Sequence, residues 1–183
     1  MAHVEWKELG IPDGYGPFRL LYNPPTETVI AELRKLREDT GPHRRIYIRQ
    51  REAQEYRQVG NPEPDLSCES VVTCSTQPIL FFNAMRITRH ERVFKGNWEA
   101  VYSFDLSSYA LAVCLDRSNI SLPSPFSDCW VSDLIGHSEA ENALYLTIGL
   151  RGDRQQGIRY SLARVELSTR VVQPISWLRA AFF

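Results

Sequence analysis

The chain has 183 residues, 43% of them apolar, enough to bury the core of one domain. Lys and Arg number 21 against 22 Asp and Glu, so the net charge of −1 supplies no global field to draw nucleic acid or an anionic membrane. No stretch reaches the length of a membrane span, and residues 1–8 carry Glu5 and Glu8 where a signal peptide would be basic and apolar; the expected location is the cytoplasm.

Residues 10–17 are dense in Gly and Pro and predict a loop, followed by a short strand at 18–22 that Pro24 and Pro25 close. From Thr26 the apolar period changes. Val29, Ile30, Leu33 and Leu36 are spaced for one face of a helix over 26–38, with Thr26 as its cap and Asp39, Thr40, Gly41 and Pro42 as its stop. Residues 45–49 and 55–59 then read as a hairpin. Pro62 and Pro64 mark a boundary that neither helix nor strand can cross.

After that boundary the chain reads as two matching sets of four strands. The first set is 70–74, 79–85, 100–106 and 110–115; the second is 130–135, 143–150, 160–167 and 171–177. Each set has a small polar turn, then a longer charged loop at 86–97 or 151–157, then a tight turn. Three hairpins, at 46–59, 101–113 and 160–175, have centres roughly 55 to 60 residues apart, the spacing of similar sheets set side by side. The expected fold is mainly β, with two or three antiparallel four-stranded propeller-like blades and one N-terminal helix. Its parts are an N-terminal cap at 1–62, a first blade-like sheet at 63–120 and a second at 121–183.

The run from Trp130 through Ser138, Glu139, Ala140, Glu141 and Asn142 to the apolar Ala143, Leu144, Tyr145 and Leu146 resembles a blade of the WD40-like repeat in propellers of the TolB type. In that family a Ser-Pro-Asp-Gly turn precedes an apolar strand, and residues 138–142 stand in its place. Residues 160–169 and the turn at Asp105, Leu106, Ser107 and Ser108 carry the rest of the likeness. The family's turn Pro and Gly are absent and no Trp-Asp pair ends a strand. The resemblance implies about two blades, with 46–59 as a half blade, whereas closed propellers use about four to eight.

Motifs for chemistry are absent. His3, His43, His90 and His137 show no metal spacing, and Cys68 and Cys74 fit no common zinc pattern. Neither a Gly-x-Ser-x-Gly elbow nor a phosphate-binding glycine loop occurs. A Cys paired with His90 or His137 is the one nucleophilic arrangement left open, and buried free thiols are the plainer expectation for Cys68, Cys74, Cys114 and Cys129. No catalytic, metal or cofactor residue is therefore assigned.

The expected function is non-enzymatic binding of another protein, in the manner of a cognate inhibitor or immunity protein, with self-association to finish a ring as a variant. Arg86, Arg89, His90, Arg92 and Lys95 cluster with Phe94 and Trp98, and Asp128, Asp133, Glu139 and Glu141 form an acidic series near Trp130. The expected contact residues are Arg89, Arg92, Phe94, Trp98 and Trp130. The alternative is a carbohydrate binder or hydrolase with Tyr102, Tyr109 and Trp130 lining a pocket and Asp105 and Asp133 converging in it. Single-stranded nucleic acid on the 86–95 loop comes third.

Overall fold

The computed structural model describes residues 10–11, 13–35, 44–59, 66–90, 93–153 and 157–178, with 88–90, 93–96 and 177–178 described by backbone alone. Its twelve strands form three antiparallel four-stranded sheets, each a meander in which every strand pairs with the next. The first sheet holds β1 (Tyr15–Asn23), β2 (Thr28–Lys35), β3 (Arg44–Gln50) and β4 (Arg57–Gln58). The middle sheet holds β5 (Leu66–Thr73), β6 (Ile79–His90), β7 (Val93–Asp105) and β8 (Leu111–Asp116). The third holds β9 (Asp128–Ser138), β10 (Ala143–Arg151), β11 (Ile158–Glu166) and β12 (Val172–Leu178).

The predicted helix over 26–38 is a strand from Thr28 to Lys35, and residues 36–38 lie outside the described residues. β2 lies between β1 and β3, and both its faces are covered. Ile30 points to the middle sheet, while Ala31 and Leu33 pack on the other side with Ile11, Tyr47 and Tyr56. A strand buried on both faces loses its alternation, and the apolar positions left over mimic a helical stripe. The β-branched run Thr28, Val29 and Ile30 favours the strand. Thr26 instead closes a 3-10 turn over Pro24–Thr26, whose backbone N–H donates to Asn23 Oδ1 at 3.2 Å.

The predicted 86–97 loop is also strand at 86–90 and 93–97, with 91–92 outside the described residues. β6 and β7 pair out to His90 opposite Val93, and Arg86 crosses to Glu99 at 3.1 Å. The two sets of strands at 70–115 and 130–177 and the hairpin at 45–59 are observed as the sheets described above.

The sheets stack face to face, with β5 against β3 and β1 of the first sheet and β9 against β5, β6 and β7 of the middle sheet. Ile30, Ile46, Ile48, Val71, Leu80 and Phe82 fill the space between the first and middle sheets. Val72, Val101, Leu134, Leu144, Leu146 and Ile148 fill that between the middle and third. Burial of this kind supplies the main driving force.

Polar side chains lock the stack in register. β5 bulges between Cys68 and Ser70, and β9 bulges twice, between Val131 and Asp133 and between Leu134 and Gly136. Beside the β9 bulges, the Val131 carbonyl accepts from Asn83 Nδ2 at 3.1 Å and the Leu134 N–H donates to Ser70 Oγ at 2.9 Å. Asn83 Oδ1 in turn accepts from the Trp98 indole N–H at 3.0 Å. Beside the β5 bulge, Arg44 donates to the Glu69 carbonyl and Arg19 to the Val71 carbonyl. Both guanidiniums also bind Glu32, which is 1% exposed; burial pushes its carboxyl up and the two arginines pull against that. Asn23, fully buried, donates toward Thr73 Oγ1 and the Cys74 and Gln77 carbonyls at 2.9–3.0 Å.

Two predictions follow from these contacts. Asn83→Ala leaves the Trp98 N–H and Val131 carbonyl without their buried partner and should cost about 3 kcal/mol in urea unfolding; a loss under about 1 kcal/mol would contradict the assignment. Asp105 accepts from the Ser108 and Ser107 N–H groups and Asp116 from Ser118 and Asn119, and these bonds hold both carboxyls below their usual range. Their contribution is present above that range and is lost as pH falls through the lowered values. Asp105→Asn should therefore flatten the acid limb of a stability–pH curve while lowering stability at neutral pH.

Candidate functional site

The turn after β5 and the turn after β9 meet at one end of the stack. Cys74, 2% exposed, follows β5, and its Sγ lies 3.1 Å from Nδ1 of His137, near the end of β9. The imidazole packs against the Phe81 ring with centroids 5.0 Å apart. Glu139, at the β9–β10 turn, accepts from the Ser75 and Thr76 N–H groups at 2.9 Å and from the Thr76 hydroxyl. One thiol sulfur, one imidazole nitrogen and one carboxylate oxygen thus lie within 4.8 Å of one another, a donor set that could hold a metal ion.

The electrostatics of this cluster disfavour nucleophilic catalysis. Burial, with the nearby Glu139 charge, pushes the Cys74 thiol up to about 11. Burial also lowers His137, against the pull of Glu139. A neutral thiol hydrogen-bonded to a neutral imidazole is a weak nucleophile, since the thiolate is the reactive form. Cys68, Cys114 and Cys129 are free thiols pushed up by burial as well.

A second group occupies the outer face of the third sheet. Gly149 stands opposite Trp130 on one side and Tyr160 on the other. A Cβ on Gly149 would fall 2.2 Å from the Trp130 indole, so glycine is what lets that ring lie against β10. Tyr160 meets Trp130 edge-on at 5.8 Å, and the Arg151 guanidinium lies 5.9 Å from the indole centroid. Asp128 sits 3.7 Å from both Arg151 and Arg117. Ile158 and Tyr160 are exposed beside this group on β11, and Ile135 and Ile175 are exposed farther along β9 and on β12.

The first sheet has an exposed apolar row too. Phe18, Leu20 and Tyr22 alternate along β1, and Leu20 and Tyr22 are 57% and 52% exposed.

Of the five expected contact residues, Trp130 stands at the described surface. Trp98 is 4% exposed, with its N–H held by Asn83. Arg89 and Phe94 face each other across the β6–β7 ladder by backbone, and their side chains and Arg92 lie outside the described residues. The acidic series divides: Asp128 pairs with arginines, Glu141 with Arg164 at 2.8 Å, Glu139 holds the 75–76 backbone, and Asp133 lies opposite Thr147.

A cavity of about 410 Å³ between the β3–β4 hairpin and the β7–β8 turn is lined by Gln50, Gln54, Glu55, Arg57 and Tyr109. A shallower one of about 360 Å³ is lined by Trp98, Glu99, Asp116 and Arg117. Neither is lined by Asp105 or Asp133, and Tyr102 stacks on the buried Phe82 at 5.3 Å. No helix among the described residues is long and apolar enough to cross a membrane.

The chain matches no known family model, and no curated protein matches it. The blade-like likeness of the sequence is met here as architecture, in three antiparallel four-stranded sheets.

The Trp130 platform can be tested by a double-mutant cycle. Gly149→Ala should cost about 1–3 kcal/mol by overpacking, whereas in a Trp130→Ala background the same change should cost little, because the colliding ring is gone. Equal costs in both backgrounds, read from urea unfolding, would contradict the contact.

Proposed function

We propose that the chain is a protein-binding module and that its partner covers the apolar outer faces of its terminal sheets. One observation carries this reading: on the outer face of the third sheet Ile158 and Tyr160 are exposed beside Trp130, and on the first sheet β1 exposes Phe18, Leu20 and Tyr22. Exposed apolar side chains grouped on one sheet face mark interaction surfaces, and Trp and Tyr beside an Arg are the residue types that dominate binding energy at such surfaces.

A second copy of the chain is the partner that fits this arrangement. Each internal interface packs a sheet against the one that follows it in the chain, and the third-sheet face of one copy meeting the first-sheet face of another would repeat that contact head to tail. The likeness to propeller blades gives the assembly a form: with three sheets per chain, two copies bring six, within the about four to eight of closed propellers. Carbohydrate stacking on Trp130 and Tyr160, flanked by Arg151 and Asp128, is the second reading, and it predicts quenching of Trp fluorescence by sugar.

Sedimentation equilibrium tests the leading reading. Wild-type chain at about 100 µM, well above a micromolar Kd, should show at least twice the mass of one chain. Ile158→Glu with Tyr160→Glu, and separately Leu20→Glu with Tyr22→Glu, should each return it to one chain while leaving the circular dichroism unchanged. A wild type that stays monomeric, or variants that associate as before, would overturn it.

A further inference from the structure

We propose that Cys74, His137 and Glu139 form the binding site of one zinc-type divalent cation, which ties the sheets together at the end of the stack. The donor set is the first reason. A sulfur, an imidazole nitrogen and a carboxylate oxygen are the three ligand types that borderline-soft divalent ions take, and three protein ligands leave a fourth position for water.

Geometry is the second. Around a tetrahedral ion with metal–sulfur about 2.3 Å and metal–nitrogen about 2.0–2.1 Å, those two donors sit about 3.6 Å apart. The observed 3.1 Å between Cys74 Sγ and His137 Nδ1 needs to open by about half an ångström, within reach of small side-chain rotations. All three donors already lie within 4.8 Å of one another.

The third reason is that the surroundings hold the ligands in place. The Glu139 carboxylate is oriented by two backbone N–H groups and the Thr76 hydroxyl, the kind of supporting hydrogen bonds that fix a metal ligand. The Phe81 ring packs on the imidazole, and Cys74 is anchored by its N–H to the Ile79 carbonyl at 2.9 Å. From the opposite side Asn23 of the first sheet donates to the Cys74 carbonyl. An ion here would join the turn after β5 to the end of β9, with the first sheet already attached to that turn. A cation also supplies the positive charge that lets a buried thiol deprotonate.

Cobalt(II) is the probe that reads this site directly. Full-length protein, treated with a chelator and dialysed, should bind one Co²⁺ per chain with a thiolate-to-cobalt charge-transfer band, and Zn²⁺ should displace it. Cys74→Ser should abolish the band, His137→Gln should weaken Co²⁺ binding at least tenfold, and Cys68→Ser and Cys129→Ser should leave both unchanged. Zn²⁺ should raise the Tm of wild type and not that of Cys74→Ser. If Cys74→Ser does not fold by circular dichroism, Glu139→Gln serves in its place, with the band kept and the affinity lowered. Absence of the band in wild type, or a band that survives in folded Cys74→Ser or disappears in folded Cys129→Ser, overturns the proposal. The readout is independent of self-association, so the metal site and the binding surface can fail separately.

Discussion

The stack depends on backbone groups that the sheets cannot satisfy by themselves. The first strands of the middle and third sheets, β5 and β9, bulge where they face a neighbouring sheet, and a bulge locally disrupts the ladder. The polar groups beside the β9 bulges are buried and those beside the β5 bulge partly so, and an unmet buried donor or acceptor costs about 1–3 kcal/mol. Side chains of the adjoining sheet meet them: Asn83 and Ser70 reach from the middle sheet to β9, and Arg44 and Arg19 reach from the first sheet to β5. Apolar packing alone would let two sheets slide over each other. These directional bonds set one position.

The same logic locates the regions open to function. The middle sheet packs against a neighbour on each face, so its Trp98, Phe82 and Val101 are interior, while Leu111 and Val113 of its edge strand β8 stay exposed. The terminal sheets use one face each in the stack, and their other faces carry Trp130 and Tyr160 at one end and Leu20 and Tyr22 at the other. The end of the stack near Cys74 is different in kind, because there the turns of two sheets converge and bring together side chains with metal-binding chemistry. One place is a surface for shape recognition; the other is a small polar cluster between sheets.

Much of the architecture was legible in the sequence. Short apolar runs separated by Asp, Ser and Gly turns marked the hairpins of the middle and third sheets, because each such strand is half-buried or flanked by a strong turn such as that at Asp105 and Ser107. β2 was not legible, since burial of Ile30 on one face and Leu33 on the other removed the alternation that identifies a strand. The β6–β7 extension was missed because the charges from Arg86 to Lys95 read as a loop, whereas Arg86 pairs across the strands with Glu99.

The candidate site was legible only in part. Trp130 stood out as a lone aromatic in an acidic stretch, but Tyr160 joins it only through the register that sets both opposite Gly149. The meeting of Cys74 with His137 and Glu139 depends on stacking between sheets, which no local spacing records. One signal was present: Cys74 follows the first strand of one four-strand set and His137 lies near the end of the first strand of the other, so aligning the two sets on each other places them at equivalent ends.

Residue-resolved amide hydrogen exchange at Leu134, compared between wild type and Ser70→Ala, tests the inter-sheet clasp most directly. The account predicts that the Leu134 N–H is among the slowest in wild type, and that losing the Ser70 hydroxyl speeds its exchange at least tenfold, more than it does those of Leu144 and Leu146. Unchanged protection at Leu134 in a folded Ser70→Ala protein would contradict it.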